Sequence, residues 1–230
     1  MGWLTPARRR GVEILDDPAT PGPLRERSQR DVVRSNTVLG GTRAVLRELR
    51  AALPLAGPAP TLLDVGTGLA DIPARASRRA GALTTVGYDV AEPLLAAARG
   101  RMTYAVCGDA LALPFATASV DVVICSQLLH HFVRDDAVRL VRELHRVARH
   151  AVIVSDLRRS WLAAAGFWLA SFPLRFHAVT RHDGVVSVLR GFTAGELAAL
   201  VRDATGATPR VRRRLGYRLT AVWSARVAGR

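Results

Sequence analysis

The sequence predicts an α/β domain on a doubly wound, mostly parallel sheet, and three observations carry this. Between residues 61 and 156, short β-branched runs alternate with helix-length amphipathic segments, a pattern that sets strands side by side through right-handed helical crossovers. The first of these runs ends in a glycine-rich turn, the kind of turn that brings backbone N–H groups against a ligand at the start of a helix. Two β-like runs, 208–214 and 217–227, close the chain and suit an antiparallel hairpin at the sheet edge.

Each element has its own signal. Residues 11–23 hold Asp16, Asp17 and three prolines and read as an exposed lead-in. From Asp31 to Leu53 the apolar positions fall at helical spacing, broken at Gly40-Gly41, so two helices or one broken helix are expected. After the breaker Pro54–Pro60 come a strand over 61–65, a helix over 71–80, a strand over 83–89 and a helix over 91–100. Strands over 103–107 and 120–125, a helix over 134–149 and a strand over 150–156 follow. Residues 158–172 form an apolar helix and 175–192 a polar loop. Thr193-Ala-Gly-Glu196 is a capping box that opens one more helix. The organisation is an N-terminal helical extension, 1–55, and a larger domain, 56–230, with 158–192 as an insertion lying over it.

The motif with chemistry in it is Asp64-Val-Gly66-Thr-Gly68-Leu-Ala70-Asp71. A dinucleotide-binding turn would place a small residue at position 71, where the helix packs on the strand and a pyrophosphate approaches. Asp71 is an acid in that place, so the turn suits a ligand without phosphates that carries a positive amino-acid end. Asp89 ends the second strand, where a carboxylate accepts from ribose hydroxyls, and Asp109 ends the third, where it can accept from an adenine amino group. The fourth strand opens into Ser126, Gln127, His130 and His131 at the edge where open α/β sheets bind ligands. These strand-end features converge on one crevice.

In these motifs the chain resembles the class I S-adenosylmethionine-dependent methyltransferases, in particular the small-molecule branch with the ubiquinone and menaquinone methyltransferases. The resemblance covers about residues 60–157. It implies a Rossmann-like sheet of seven strands and S-adenosylmethionine as cofactor. By the same resemblance Asp64, Gly66 and Gly68 cradle the methionine part, Asp89 the ribose, Asp109 and Ala110 the adenine, and Ser126 and Gln127 the cofactor floor. Ala70 replaces the usual third glycine. Residues 1–55 and 158–192 correspond to the substrate lid.

Methyl transfer to a hydroxyl needs the acceptor held in line and a proton removed, and histidine suits the second task. His131 is the preferred base and His182, in Arg181-His-Asp183, the second; a structural imidazole is the alternative for each. His145 and His150 lie away from the crevice. Trp161, Phe167, Trp168, Phe172 and Phe176 gather aromatics in a chain that is 6% aromatic, bracketed by Arg158, Arg159 and Arg175. This segment reads as the wall of a pocket for a hydrophobic or aromatic acceptor, as a peripheral membrane contact, or as a core helix.

Composition excludes several classes. With 230 residues, 49% hydrophobic, the chain builds a substantial core. Its net charge of +14 comes entirely from arginine, without one lysine, and divides as +4 over 1–60, +1 over 61–150 and +9 over 151–230. The near-neutral middle argues against nucleic acid as partner, as does the lack of an N/D-P-P-Y/F motif after the fourth strand; an RNA methyltransferase and a non-enzymatic binding module are the alternatives. Cys107 and Cys125 lie in apolar runs without metal-ligand spacing, so both are expected to be buried, reduced thiols of a cytoplasmic protein, and no metal is expected. Arg8, Arg9 and Arg10 stand where a secretory signal would be apolar, Gly2 lacks the Ser or Thr of a myristoylation site, and the apolar stretch Trp161 to Leu174 is too short to span a bilayer.

Overall fold

The computed structural model describes residues 4–9, 11–17 and 19–225. Seven strands, β1 (Thr61–Val65), β2 (Thr84–Asp89), β3 (Tyr104–Cys107), β4 (Val120–Ser126), β5 (Ala148–Leu157), β6 (Arg210–Arg214) and β7 (Arg218–Ser224), form one sheet in the order β3-β2-β1-β4-β5-β7-β6. The first five are parallel. The closing hairpin is antiparallel, with β7 inserted between β5 and β6, so that Ile153 pairs Val222 and Val211 pairs Ala221. The chain runs outward from β1 to β3, then returns to build the other half from β4. That reversal leaves a crevice at the carboxyl ends of β1 and β4, the place where such sheets bind ligands.

The central strands are apolar on both faces because helices cover both. Side chains alternate. Leu62, Val122, Ile124 and Ile153 face α2 (Gly41–Ala52) and α3 (Asp71–Ala80), where Val45, Leu49, Ile72 and Ala76 meet them. Leu63, Val65, Val123, Cys125, Val152 and Val154 face α5 (Arg134–Val147) and α8 (Ala194–Thr205), packing on Leu140, Leu144, Leu197 and Val201. Each buried leucine contributes roughly 1.5–3 kcal/mol. The short α4 (Glu92–Ala97) links β2 to β3.

Three helices lie over the crevice. α1 (Gly22–Val38) is parted from α2 by Gly40 at φ +85, while α6 (Trp161–Ser171) and α7 (Ala178–Arg190) share a small cluster with Leu157, Ala163 and Val188. Several expectations need correction here. α1 begins at Gly22, with Pro23 in its first turn, and residues 11–17 are a strap whose Glu13 is buried. The stretch 175–192, read as a loop from its polarity, is mostly helix. Two of its polar residues are turned inward: Thr180 bonds Asp31, and Asp183 accepts the N–H groups of Ile14 (2.9 Å) and Leu15 (3.0 Å). Cys125 is buried as expected but Cys107 is exposed, because β3 is an edge strand with little above it. The capping box is present: Thr193 Oγ1 accepts from Glu196 N, and Glu196 accepts from Thr193 N. Among the described residues no helix is long and apolar enough to cross a membrane. Gly2, Arg10 and the end of the 217–227 run, 226–227, lie outside the described residues.

Candidate active site

At the end of β1 the chain turns through Gly66 at φ +75, and a Cβ there would stand 2.9 Å from Leu128 Cδ2. The turn is fastened by Gly66 and Thr67, whose N–H groups donate to the Tyr88 carbonyl at 2.8 and 3.1 Å. Thr67 Oγ1 donates to Asp64 Oδ2 at 2.9 Å; Asp64 Oδ1 is buried and has no hydrogen-bond partner among the described residues. Burial, with the charges of Asp71 and Asp89 added, pushes the Asp64 carboxyl up to about 7 despite the Thr67 hydroxyl. Gly68 and Ala70 are left-handed too, and Ala70 is fully buried. Asp71 is the first-turn acid of α3 and accepts from Thr42 Oγ1 at 2.9 Å.

Asp89 accepts Gly68 N–H on Oδ2 (2.8 Å) and Ala91 N–H on Oδ1 (2.9 Å), and each oxygen keeps a second lone pair for a ligand hydroxyl. Ser126 and Gln127 follow β4; Gln127 takes φ +55 and accepts a hydrogen bond from Arg218. Arg218 is almost wholly buried, donates also to Asn36 Oδ1 at 3.0 Å, and is lowered to about 10 by that burial. Asp64, Gly66, Gly68, Asp89, Ser126, Gln127 and Arg218 all line one cavity of about 400 Å³. Asp109 and Ala110 do not line it. Asp109 is exposed and caps the following turn at Leu111 N, with its carbonyl accepting the Tyr88 hydroxyl. A second hollow of about 550 Å³, between α3 and the starts of β2 and β3, lies away from the carboxyl edge.

The far end of the cavity is built from histidines and acids. His130 and His131 share one 3-10 turn, their rings 4.3 Å apart and tilted 35°. His130 is buried, with Nδ1 2.7 Å from Asp156 Oδ1; Nε2 has no hydrogen-bond partner among the described residues. His131 Nδ1 lies 3.2 Å from Asp16 Oδ1. Burial works against a charge on His131, but the Asp16 hydrogen bond and the Glu13 and Asp16 carboxylates outweigh it and hold its pKa above the usual imidazole range. Asp16 is correspondingly lowered to about 2, its burial overcome by His131 and Arg190. His182 is exposed and bonds Asp183, which lines the cavity while His182 does not. His145 accepts from Trp223 and His150 sits near Asp121, both away from the cavity. Sequence reasoning missed Glu13, Asp156 and Arg218, which carry no local motif, and ranked His130 behind its neighbour.

Residues 63–154 match the family model described as a methyltransferase domain. The chain is 34% identical over 117 residues to the biotin biosynthesis bifunctional protein BioHC of Cellvibrio japonicus, covering 50% of this chain and 22% of that protein. It is 35% identical over 126 residues to the demethylmenaquinone methyltransferase of Roseiflexus sp., covering 51% of each. The chain thus spans about half, or less, of the length of these relatives. Among solved structures, an S-adenosylmethionine-dependent methyltransferase of Aquifex aeolicus superposes with a TM-score of 0.59 at 18% identity, over 84% of this chain and 93% of that one. The magnesium protoporphyrin IX methyltransferase of Synechocystis, solved with S-adenosylmethionine, gives 0.57 at 14% identity, over 92% and 88%. At these identities the likeness is one of fold.

Proposed function

We infer that this chain, a class I S-adenosylmethionine-dependent methyltransferase through its residues 63–154, transfers a methyl group to a small hydrophobic or aromatic acceptor such as a phenol, quinol or polyketide. The observation that carries the reading is the Gly66–Gly68 turn, with Asp89 beside it and Asp64 Oδ1 buried without a hydrogen-bond partner among the described residues, at the point where the strand order reverses. These residues fit S-adenosylmethionine. Asp64, Gly66 and Gly68 take its positive amino-acid end, Asp89 its ribose, and Ser126 and Gln127 the floor, while Asp109 and Ala110, outside the cavity lining, are assigned to the adenine side by the resemblance alone. When bound, the cofactor supplies a methyl group on a sulfonium. Calorimetry with S-adenosylmethionine tests this directly: stoichiometric binding is expected, weakened by Asp89→Ala, and absence of binding overturns the reading.

The acceptor end is apolar on one side, where Leu15, Leu157, Phe167 and Val188 line the cavity, and imidazole-rich on the other. The strap 11–17, α1, α6 and α7 act as a lid over it. His131, with His130 beside it, activates the acceptor; His182 is the second candidate and would reach it only through lid movement. A transfer assay with labelled cofactor against phenols, quinols, fatty acids and total RNA is expected to label a phenolic or quinolic compound, and labelling of RNA alone would overturn the small-molecule reading.

The outer side of α6 supports peripheral membrane contact. Leu162, Trp168, Leu169 and Phe172 are exposed there, with Arg9 over the Trp161 ring and Arg181 over the Phe172 ring. Apolar rings with guanidinium groups beside them suit an anionic lipid surface. Binding to anionic vesicles in excess of neutral ones is expected, and is reduced by Leu169→Glu; equal partition removes this part.

A further inference from the structure

We propose that Glu13, His130 and His131 form a binding site for one divalent transition-metal ion of the zinc class at the acceptor end of the cavity. Cysteine and histidine spacing in the sequence did not mark it, because Glu13 reaches the histidines from more than a hundred residues away. His130 Nε2 and His131 Nε2 each lie 3.9 Å from a Glu13 carboxylate oxygen, and the three donor atoms fall within 4.8 Å of one another. Around a tetrahedral ion, ligands at roughly 2.1 Å stand about 3.4 Å apart, so the two nitrogen–oxygen pairs, one to each oxygen of Glu13, need about half an ångström of closure and the widest pair at most about 1.4 Å, within the reach of side-chain rotation. Two imidazoles and a carboxylate are a donor set for Zn²⁺, Fe²⁺ or Co²⁺, not for Mg²⁺ or Ca²⁺.

Three observations point to a cation instead of a self-contained hydrogen-bond cluster. His130 Nε2 is buried and unsatisfied among the described residues, although an imidazole nitrogen in such a place ordinarily has a partner. The opposite nitrogen of that ring is held by Asp156, which is fully buried and also accepts the His130 and Leu157 N–H groups. A carboxylate behind the ring fixes its orientation and strengthens the outer nitrogen as a ligand, the arrangement found behind metal-bound histidines. Glu13 is oriented in the same way: Ser187 Oγ (2.7 Å) and Arg190 Nη1 (3.0 Å) both donate to Oε1, leaving Oε2 toward His131. Three carboxylates, Glu13, Asp16 and Asp156, thus face this corner, with Arg190 the guanidinium bonded to two of them.

Three protein ligands leave coordination positions free on the cavity side. If the methyl-transfer reading holds, an acceptor oxygen fills one of them and the ion favours its deprotonated form. The binding itself does not depend on that reading. Tag-free protein is stripped with chelator and then titrated with Co²⁺ while its visible spectrum is followed, and Zn²⁺ uptake is measured by equilibrium dialysis. One ion per chain is expected, with the visible band of a low-coordinate Co²⁺ site. Asp156→Asn is expected to weaken binding about 10–100-fold, and Glu13→Gln and His130→Ala to abolish it, with circular dichroism confirming the fold. Glu13 lies on the strap outside the sheet, so Glu13→Gln decides the matter even where His130→Ala fails to fold. Absence of stoichiometric uptake, or uptake unchanged in Glu13→Gln, overturns the site. Failure to bind S-adenosylmethionine would sink the methyltransferase reading and leave the metal titration untouched.

Discussion

Asp64 shows how burial turns a common residue into a responsive one. With its carboxyl raised to about 7 by burial, the ligand-free protein holds the proton more tightly than the unfolded chain does. Its contribution to stability therefore rises as pH falls from 7 toward the ordinary carboxylate range. On the proposed function, binding of a cationic cofactor end at Asp64 favours the ionised form and has the opposite sign: affinity should fall as pH drops below 7 and level off above it. Calorimetry in buffers of different ionisation enthalpy should show proton release near neutrality, and Asp64→Asn should remove it. The neighbouring turn gives a second prediction. Gly66→Ala meets both the left-handed penalty, about 1–2 kcal/mol, and Leu128 at 2.9 Å, so it should cost more than that penalty alone in urea unfolding. Ala70→Gly should be near neutral, since relief of the same penalty is offset by a buried methyl worth about 0.8 kcal/mol. Of these residues, the glycines and Asp64 were legible in the sequence because their role is local. Glu13 and Asp156 were not, because a carboxylate acquires meaning only from what it faces.

Among the elements, those with regular apolar spacing or a cap were readable, as was the apolar helix α6, whereas the strap 11–17 and α7 were not. The strands from 61 to 126 and the helices between them have periodicity that burial enforces on both faces of the sheet. The Thr193 capping box announced α8 because its two hydrogen bonds lie within four residues. α7 was hidden: its mixed sequence has no apolar stripe, and Asp183 and Thr180 serve the strap and α1. The cap offers a graded test. Thr193→Ala removes one helix-end hydrogen bond and should cost about 1 kcal/mol. Glu196→Ala removes the reciprocal bond and also the carboxylate 2.7 Å from the buried Arg159, so it should cost more, as read from urea midpoints at constant slope.

For the molecule as a whole, a net charge of +14 is the kind that suits a polyanionic partner, yet part of its densest run is structural. Arg210 and Arg214, on the edge strand β6, pair with the buried Glu48 of α2, which also accepts from Thr220. Burial alone would raise Glu48, but the Arg214 and Thr220 hydrogen bonds and the two guanidinium charges outweigh it and hold its pKa below the usual value. Its stabilisation is therefore present above the ordinary carboxylate range and lost as pH falls through the lowered pKa. Glu48→Gln should destabilise the protein by roughly 1–3 kcal/mol at neutral pH, and the difference from the parent should shrink in acid, as urea unfolding at the two pH values would show. By itself the sequence determined the sheet, its closing hairpin and the Gly66–Gly68 turn, since these follow from periodicity and from residues adjacent in the chain. Only the tertiary structure decided the other end of the cavity, where Glu13, His130 and His131 come together with Asp156 behind His130 and Arg190 bonded to Glu13, because contacts closed across such distances leave no local pattern to read.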